Sequence, residues 1–88
     1  MIQKILYKEI EKAFAKLYSA PKQSIQFQKT RKDFVGDITL VVFPLLSASK
    51  KGAEQTAQEI GDYLKANVIE VANFNVVKGF LNLEISPI

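Results

Sequence analysis

The chain has 88 residues, 48% apolar and 24% charged, a size and composition that set aside disorder and allow one domain. It contains neither cysteine nor histidine, which removes disulfide staples, thiolate metal sites, the usual zinc ligand and the commonest general acid/base. A net charge of +3, from 12 Lys+Arg against 9 Asp+Glu, permits a polyanionic partner without demanding one.

Residues Ile2 to Tyr18 read as an amphipathic helix, because Leu6, Ile10, Ala13, Phe14 and Leu17 recur at three- and four-residue steps. Lys4, Lys8, Lys12 and Lys16 form a second stripe, read as a solvated face, with Glu9 placed to pair with Lys12. Lysines and a glutamate among few apolar residues do not make the apolar core of a signal peptide, so a cytoplasmic domain is expected. Pro21 should end the helix, with Ser19 and Ala20 as its frayed edge.

Ile25 to Thr30 alternates Ile25, Phe27 and Lys29 against Gln26, Gln28 and Thr30, the pattern of a strand with one mostly apolar face. Arg31 to Gly36 is a charged loop closed by Gly36-Asp37. The segment from about Asp37 to Val42 is β-branched and largely apolar, as expected of a central, covered strand. Pro44 suits the first turn of a short helix over Phe43 to Ser49, and Lys50-Lys51-Gly52 is a connector. The apolar run from Ile38 to Leu46 is about half the length that spans a bilayer, so no membrane partner is expected.

From about Ala53 to Ala66 the spacing predicts another helix, with Ala53, Ala57, Ile60 and Leu64 inward and Asn67 as its stop. Gly61 should weaken it, by about 1 kcal/mol relative to alanine. Two strands follow, Val68 to Val77 and Phe80 to Ile85, joined by Lys78-Gly79. A two-residue loop sets the pairing: Ala72 with Ile85, Phe74 with Leu83 and Val76 with Leu81 on an apolar face. Asn73 with Glu84, Asn75 with Asn82 and Val77 with Phe80 then share the other. The chain stops at Ser86-Pro87-Ile88 directly after a strand, as a piece of a longer protein would.

Phe80 and Asn82 are the first candidates for a site. Alternate strand residues point the same way, so a ring and an amide stand side by side. The ring can stack on an unpaired base and the amide can bond its edge. Alternation by itself fits a plainer arrangement better, with Phe80 packed beneath the first helix and Asn82 a surface residue near the turn. Lys29, Arg31, Lys32 and Lys78, and also Lys50 and Lys51, are candidate phosphate contacts, which position a nucleic acid without reading it. Taken singly, each fits a solvated loop better. No metal site is expected. Asp37, Glu54, Glu59 and Asp62 are the nearest approach to an acidic set, and no base or nucleophile accompanies them.

Three stretches together resemble the N-terminal domain of arginyl-tRNA synthetases. They are Gly-Asp-Ile-Thr-Leu-Val-Val-Phe-Pro-Leu-Leu from Gly36, Ala-Glu-Gln-Thr-Ala-Gln-Glu-Ile-Gly-Asp-Tyr-Leu-Lys from Ala53, and Val-Lys-Gly-Phe-Leu-Asn-Leu-Glu-Ile from Val77. The resemblance implies an α+β fold, an antiparallel sheet of about four strands against two or three helices. It also implies docking on the outer corner of arginine tRNA, at the D-loop, with Phe80 and Asn82 on the positions that hold an unpaired base. That coincidence with the alternation argument puts the base-holding reading ahead. Lys78 stands where the family often has proline. The class I signatures His-Ile-Gly-His and Lys-Met-Ser-Lys are missing from the chain. The resemblance therefore places ATP and arginine binding in a catalytic domain outside this chain, itself a partner, and leaves this part without a cofactor or catalytic residues. The rival reading is a protein-interaction or purely structural module, docking through the apolar tip or an exposed edge strand near Ile85.

Overall fold

The computed structural model describes residues 2–18 and 25–86. The elements run α1 (Ile2–Tyr18), β1 (Phe27–Lys29), β2 (Ile38–Val41), a 3-10 turn (Phe43–Leu45) leading into α2 (Leu46–Ser49), α3 (Ala53–Asn67), β3 (Val71–Val77) and β4 (Phe80–Ile85). The expected α+β fold is the one observed. All neighbouring strands are antiparallel, in the order β1-β2-β4-β3. Ser19, Ala20 and Pro21 lie outside the described residues, so the expected stop of α1 is left aside. No helix among the described residues is long and apolar enough to cross a membrane.

Helices cover one face of the sheet. There α3 packs on β3 and β4, and α1 packs on α3 and α2. The core joins Leu6, Ile10 and Phe14 of α1 and Ala57, Ile60 and Leu64 of α3 to Ile38, Leu40, Leu81 and Leu83 of the sheet. Leu17 departs from its expected inward place and is exposed, near Lys51, Glu59 and Tyr63. A helical stripe drifts around its axis, so a residue at the stripe's end leaves the face that its partner covers.

The position of β4 overturns one expectation. It lies between β2 and β3, so the strand that ends at Ile85 is internal and β1 and β3 are the edges. Strand addition beside Ile85 is closed off, and the backbone N–H of Ile85 donates instead to Asp37 Oδ2 at 2.8 Å.

The hairpin register agrees with expectation from Asn73↔Glu84 to Val77↔Phe80, but Val71, not Ala72, opposes Ile85. An irregularity between Val71 and Asn73 leaves Ala72 exposed, as an extra residue in one strand does. At the turn, Lys78 (φ 50°) and Gly79 (φ 81°) are both left-handed, as a type I′ turn requires. Proline, with φ near −65°, could not stand at Lys78 in this turn.

Gly61 is not the weak point that its helix propensity suggests. A Cβ there would come within 2.8 Å of Phe74 Cγ and closer still to two other ring atoms. The missing side chain lets α3 lie directly on the Phe74 ring.

Candidate nucleic-acid interface

Among the described residues no helix packs on the sheet's other face. Directly opposed residues of antiparallel strands point the same way, so this face bears Gln28, Thr39 and Val41, then Phe80, Asn82 and Glu84, then Asn73, Asn75 and Val77. Among the described residues the loop after β1 crosses it, and Phe43 of the 3-10 turn reaches its far end.

Asn82 sits beneath that loop, 1% exposed, rather than at the surface. Its Oδ1 accepts from Thr39 Oγ1 at 2.6 Å and its Nδ2 donates to Asn75 Oδ1 at 2.9 Å. Asn75 Nδ2 in turn donates to the Val35 carbonyl at 2.6 Å. A hydroxyl has one proton, and that of Thr39 goes to Asn82. Thr30 is therefore the donor in the 2.9 Å contact between Thr30 and Thr39. The result is one directed chain from Thr30, just past the end of β1, through β2, β4 and β3 to the loop carbonyl of Val35, in which each buried group is satisfied.

Gly36-Asp37 closes the loop over this chain. A Cβ on Gly36 (φ 145°) would come 3.2 Å from both Asn82 Cβ and Thr30 Oγ1. The Asp37 N–H donates to the Leu83 carbonyl at 2.8 Å. The pair is thus a clamp that seats the loop on β4, a physical reason for a glycine followed by an aspartate. Beside it, Asp33, Phe34, Val35, Asn73, Asn75 and Glu84 border a shallow hollow of about 440 Å³.

Phe80 lies near the far end of the same face, half-buried beside the turn. Its ring meets Phe43 edge to face, with centroids 5.7 Å apart and planes at 80°. It is not under α1, so the plainer placement of this residue does not hold. Phe43 is a site residue that its place beside Pro44, in an expected short helix, does not single out. Continuing the two-residue step of Thr39 and Val41 reaches position 43, and that was the available signal.

The basic candidates are separated. Lys78 is in the turn next to Phe80, exposed and without an ion pair among the described residues. Arg31 and Lys32 are exposed at the other end of the sheet, with the Arg31 guanidinium 5.8 Å from the centre of the Phe34 ring. Lys29 opposes Ile38 and so projects on the helix side of edge strand β1, away from Phe80. Lys50 is exposed in a left-handed cap that ends α2. Lys51 is engaged: its Nζ donates to both Glu59 oxygens, at 3.1 and 2.8 Å, and lies 5.6 Å from the Tyr18 ring centre.

Glu59 also accepts from the Tyr18 hydroxyl at 2.7 Å. The Lys51 bond first, then the Tyr18 bond, holds its carboxyl below the ordinary range against the opposing effect of burial. Burial first, then the bond and charge of Glu59, pushes the Tyr18 hydroxyl well above the usual phenol range. This cluster ties α1, the connector and α3 together. Asp62 pairs with Gln58 on the same helix, so the two acids form no joint site. Among the described residues no group of three or more Asp or Glu is placed to hold a metal ion.

The sequence model of the arginyl tRNA synthetase N terminal domain matches residues 1–85. The chain belongs to that family. An arginine–tRNA ligase of Phocaeicola vulgatus is 53% identical over 88 residues, covering 97% of this chain and 14% of the relative. One from Bacteroides thetaiotaomicron is 65% identical over 66 residues, covering 75% of the chain and 11% of the relative. The chain of the Thermus thermophilus arginyl-tRNA synthetase structure superposes with a TM-score of 0.77 at 24% identity, over 98% of this chain and 14% of that one. The last likeness is one of fold. The chain thus spans only 10% to 16% of the length of the ligases it matches.

Proposed function

We propose that this chain is an accessory tRNA-binding module of a longer, cytoplasmic, ATP-dependent arginine–tRNA ligase, contacting the D-loop at the outer corner of arginine tRNA. The observation that carries this is Phe80, a half-buried ring on the uncovered sheet face, near a turn lysine that has no ion pair among the described residues, in a member of this family. An unpaired base stacks on Phe80 while Lys78 meets a neighbouring phosphate; Arg31 and Lys32 reach phosphates from the loop, and Lys29 adds only to the field. Asn82 reaches a base edge by exchanging its bond to Asn75, which requires the loop over it to shift. Until then it orients the surface amide of Asn75. Adenylation and transfer take place in the catalytic domain, and this module supplies neither cofactor nor catalytic residue.

The test is affinity of the chain for an arginine tRNA transcript, with one D-loop base substituted, and with Phe80→Ala. Base–ring stacking is worth on the order of 1–3 kcal/mol, so each change should weaken binding roughly tenfold, and the two together little further. Binding indifferent to both would reduce the contact to unspecific charge. No binding at all would favour a protein-docking or structural role.

A further inference from the structure

Phe43 is the one aromatic side chain that stands exposed among the described residues, at 51%. It is also firmly held. Its ring rests against Phe80, and a Cβ on Gly79 would come 3.1 Å from Phe43 Cζ, so the hairpin turn abuts the ring edge. Its backbone opens the 3-10 turn, with Pro44 next and its carbonyl accepting from the Leu46 N–H. A ring already fixed in place has little rotamer freedom left to lose on binding.

We propose that Phe43 is a second base-stacking platform, so that this tip holds two unpaired RNA bases rather than one. The inference rests on the RNA reading above and deepens it. Rings at 80° to one another cannot sandwich a single base, which needs two near-parallel faces. They offer two separate platforms turned against each other, which suits bases splayed out of an unpaired loop. Lys78 adjoins Gly79, whose backbone abuts the Phe43 ring, and is exposed without an ion pair among the described residues, so a cation is available within the same turn. That favours a polyanion over a neutral apolar surface. A standard protein interface needs about 800 Å² per partner, whereas the apolar part here is a few side chains, Phe43, Phe80, Val41 and Val77, at the end of a polar face.

Phe43→Trp introduces the only tryptophan of the chain, and its fluorescence reports stacking directly. The probes are an arginine tRNA transcript and a fully paired RNA duplex of similar length, each followed in parallel by anisotropy. Quenching by the transcript that saturates with binding, and is absent with the duplex, is expected. Phe43→Leu should weaken transcript binding about tenfold with an unchanged salt slope, since stacking and not charge is lost. If the transcript binds but leaves the tryptophan unquenched, and Phe43→Leu binds as tightly as the parent, the second platform falls and Phe80 remains the sole one. Equal quenching by the duplex would also overturn it. Failure of the unsubstituted chain to bind the transcript would overturn the RNA reading itself, and Phe43 would then be a contact for protein.

Discussion

At Gly61 two effects of one methyl group oppose each other. Alanine in a helix interior is favoured over glycine by about 1 kcal/mol. The same methyl would strike the Phe74 ring, and forcing carbon into a filled core costs about 1–3 kcal/mol. The ring lies between α3 and an edge strand and cannot retreat without opening that contact, so the clash should win. Gly61→Ala is expected to lower the urea midpoint, by about 1–2 kcal/mol in stability at unchanged m-value. A rise in the midpoint would show that Phe74 yields. Asn82 carries a similar lesson: its place on the polar face was legible, whereas its burial came from a loop that folds over it.

At the scale of elements, the Tyr18–Glu59–Lys51 cluster joins the end of α1, the connector and α3. The folded-state pKa of Glu59 is depressed, so its contribution is present above the ordinary carboxylate range and is lost as pH falls through the folded value. Tyr18 is shifted upward, so its contribution is complete below about pH 10 and declines only above that. At neutral pH both are in place. Urea midpoints measured from about pH 7 down to about pH 3 should fall more steeply for the parent chain than for Glu59→Gln. Parallel curves would mean that the cluster does not couple to folding. The same cluster engages the Lys51 ammonium, which the sequence sets beside Lys50 as another candidate phosphate contact.

For the whole molecule, the net charge of +3 says less than its placement. Lys78 stands at the hairpin turn, while Asp33 and Glu84 border the hollow toward the other end, the Asp37 carboxylate accepts from the Ile85 N–H, and Arg31 and Lys32 precede Asp33 in the loop. Exposed positive charge therefore stands at both ends, on Lys78 at the turn and on Arg31 and Lys32 in the loop after β1. Each phosphate contact removed should flatten the plot of log affinity against log salt by roughly one unit. Lys78→Ala is therefore expected to flatten it by about that much, and Lys51→Ala, whose lysine is already paired, hardly at all. Equal effects would show that only total charge matters.

Periodicity and turn chemistry are local, and they sufficed for what local forces decide. They located the helices, the Lys78-Gly79 turn and, from Asn73 onward, the hairpin register, because a two-residue loop leaves the pairing little freedom. They also put Phe80 and Asn82 on one strand face. Strand order, the loop lying on Asn82, the Phe43 ring against Phe80 and the methyl-sized gap at Gly61 all join residues far apart in the chain. No local pattern encodes such contacts. They are settled only when the helices take one face of the sheet and leave the other for the loop after β1, and that choice decides which ring, which amide and which lysine can meet a partner.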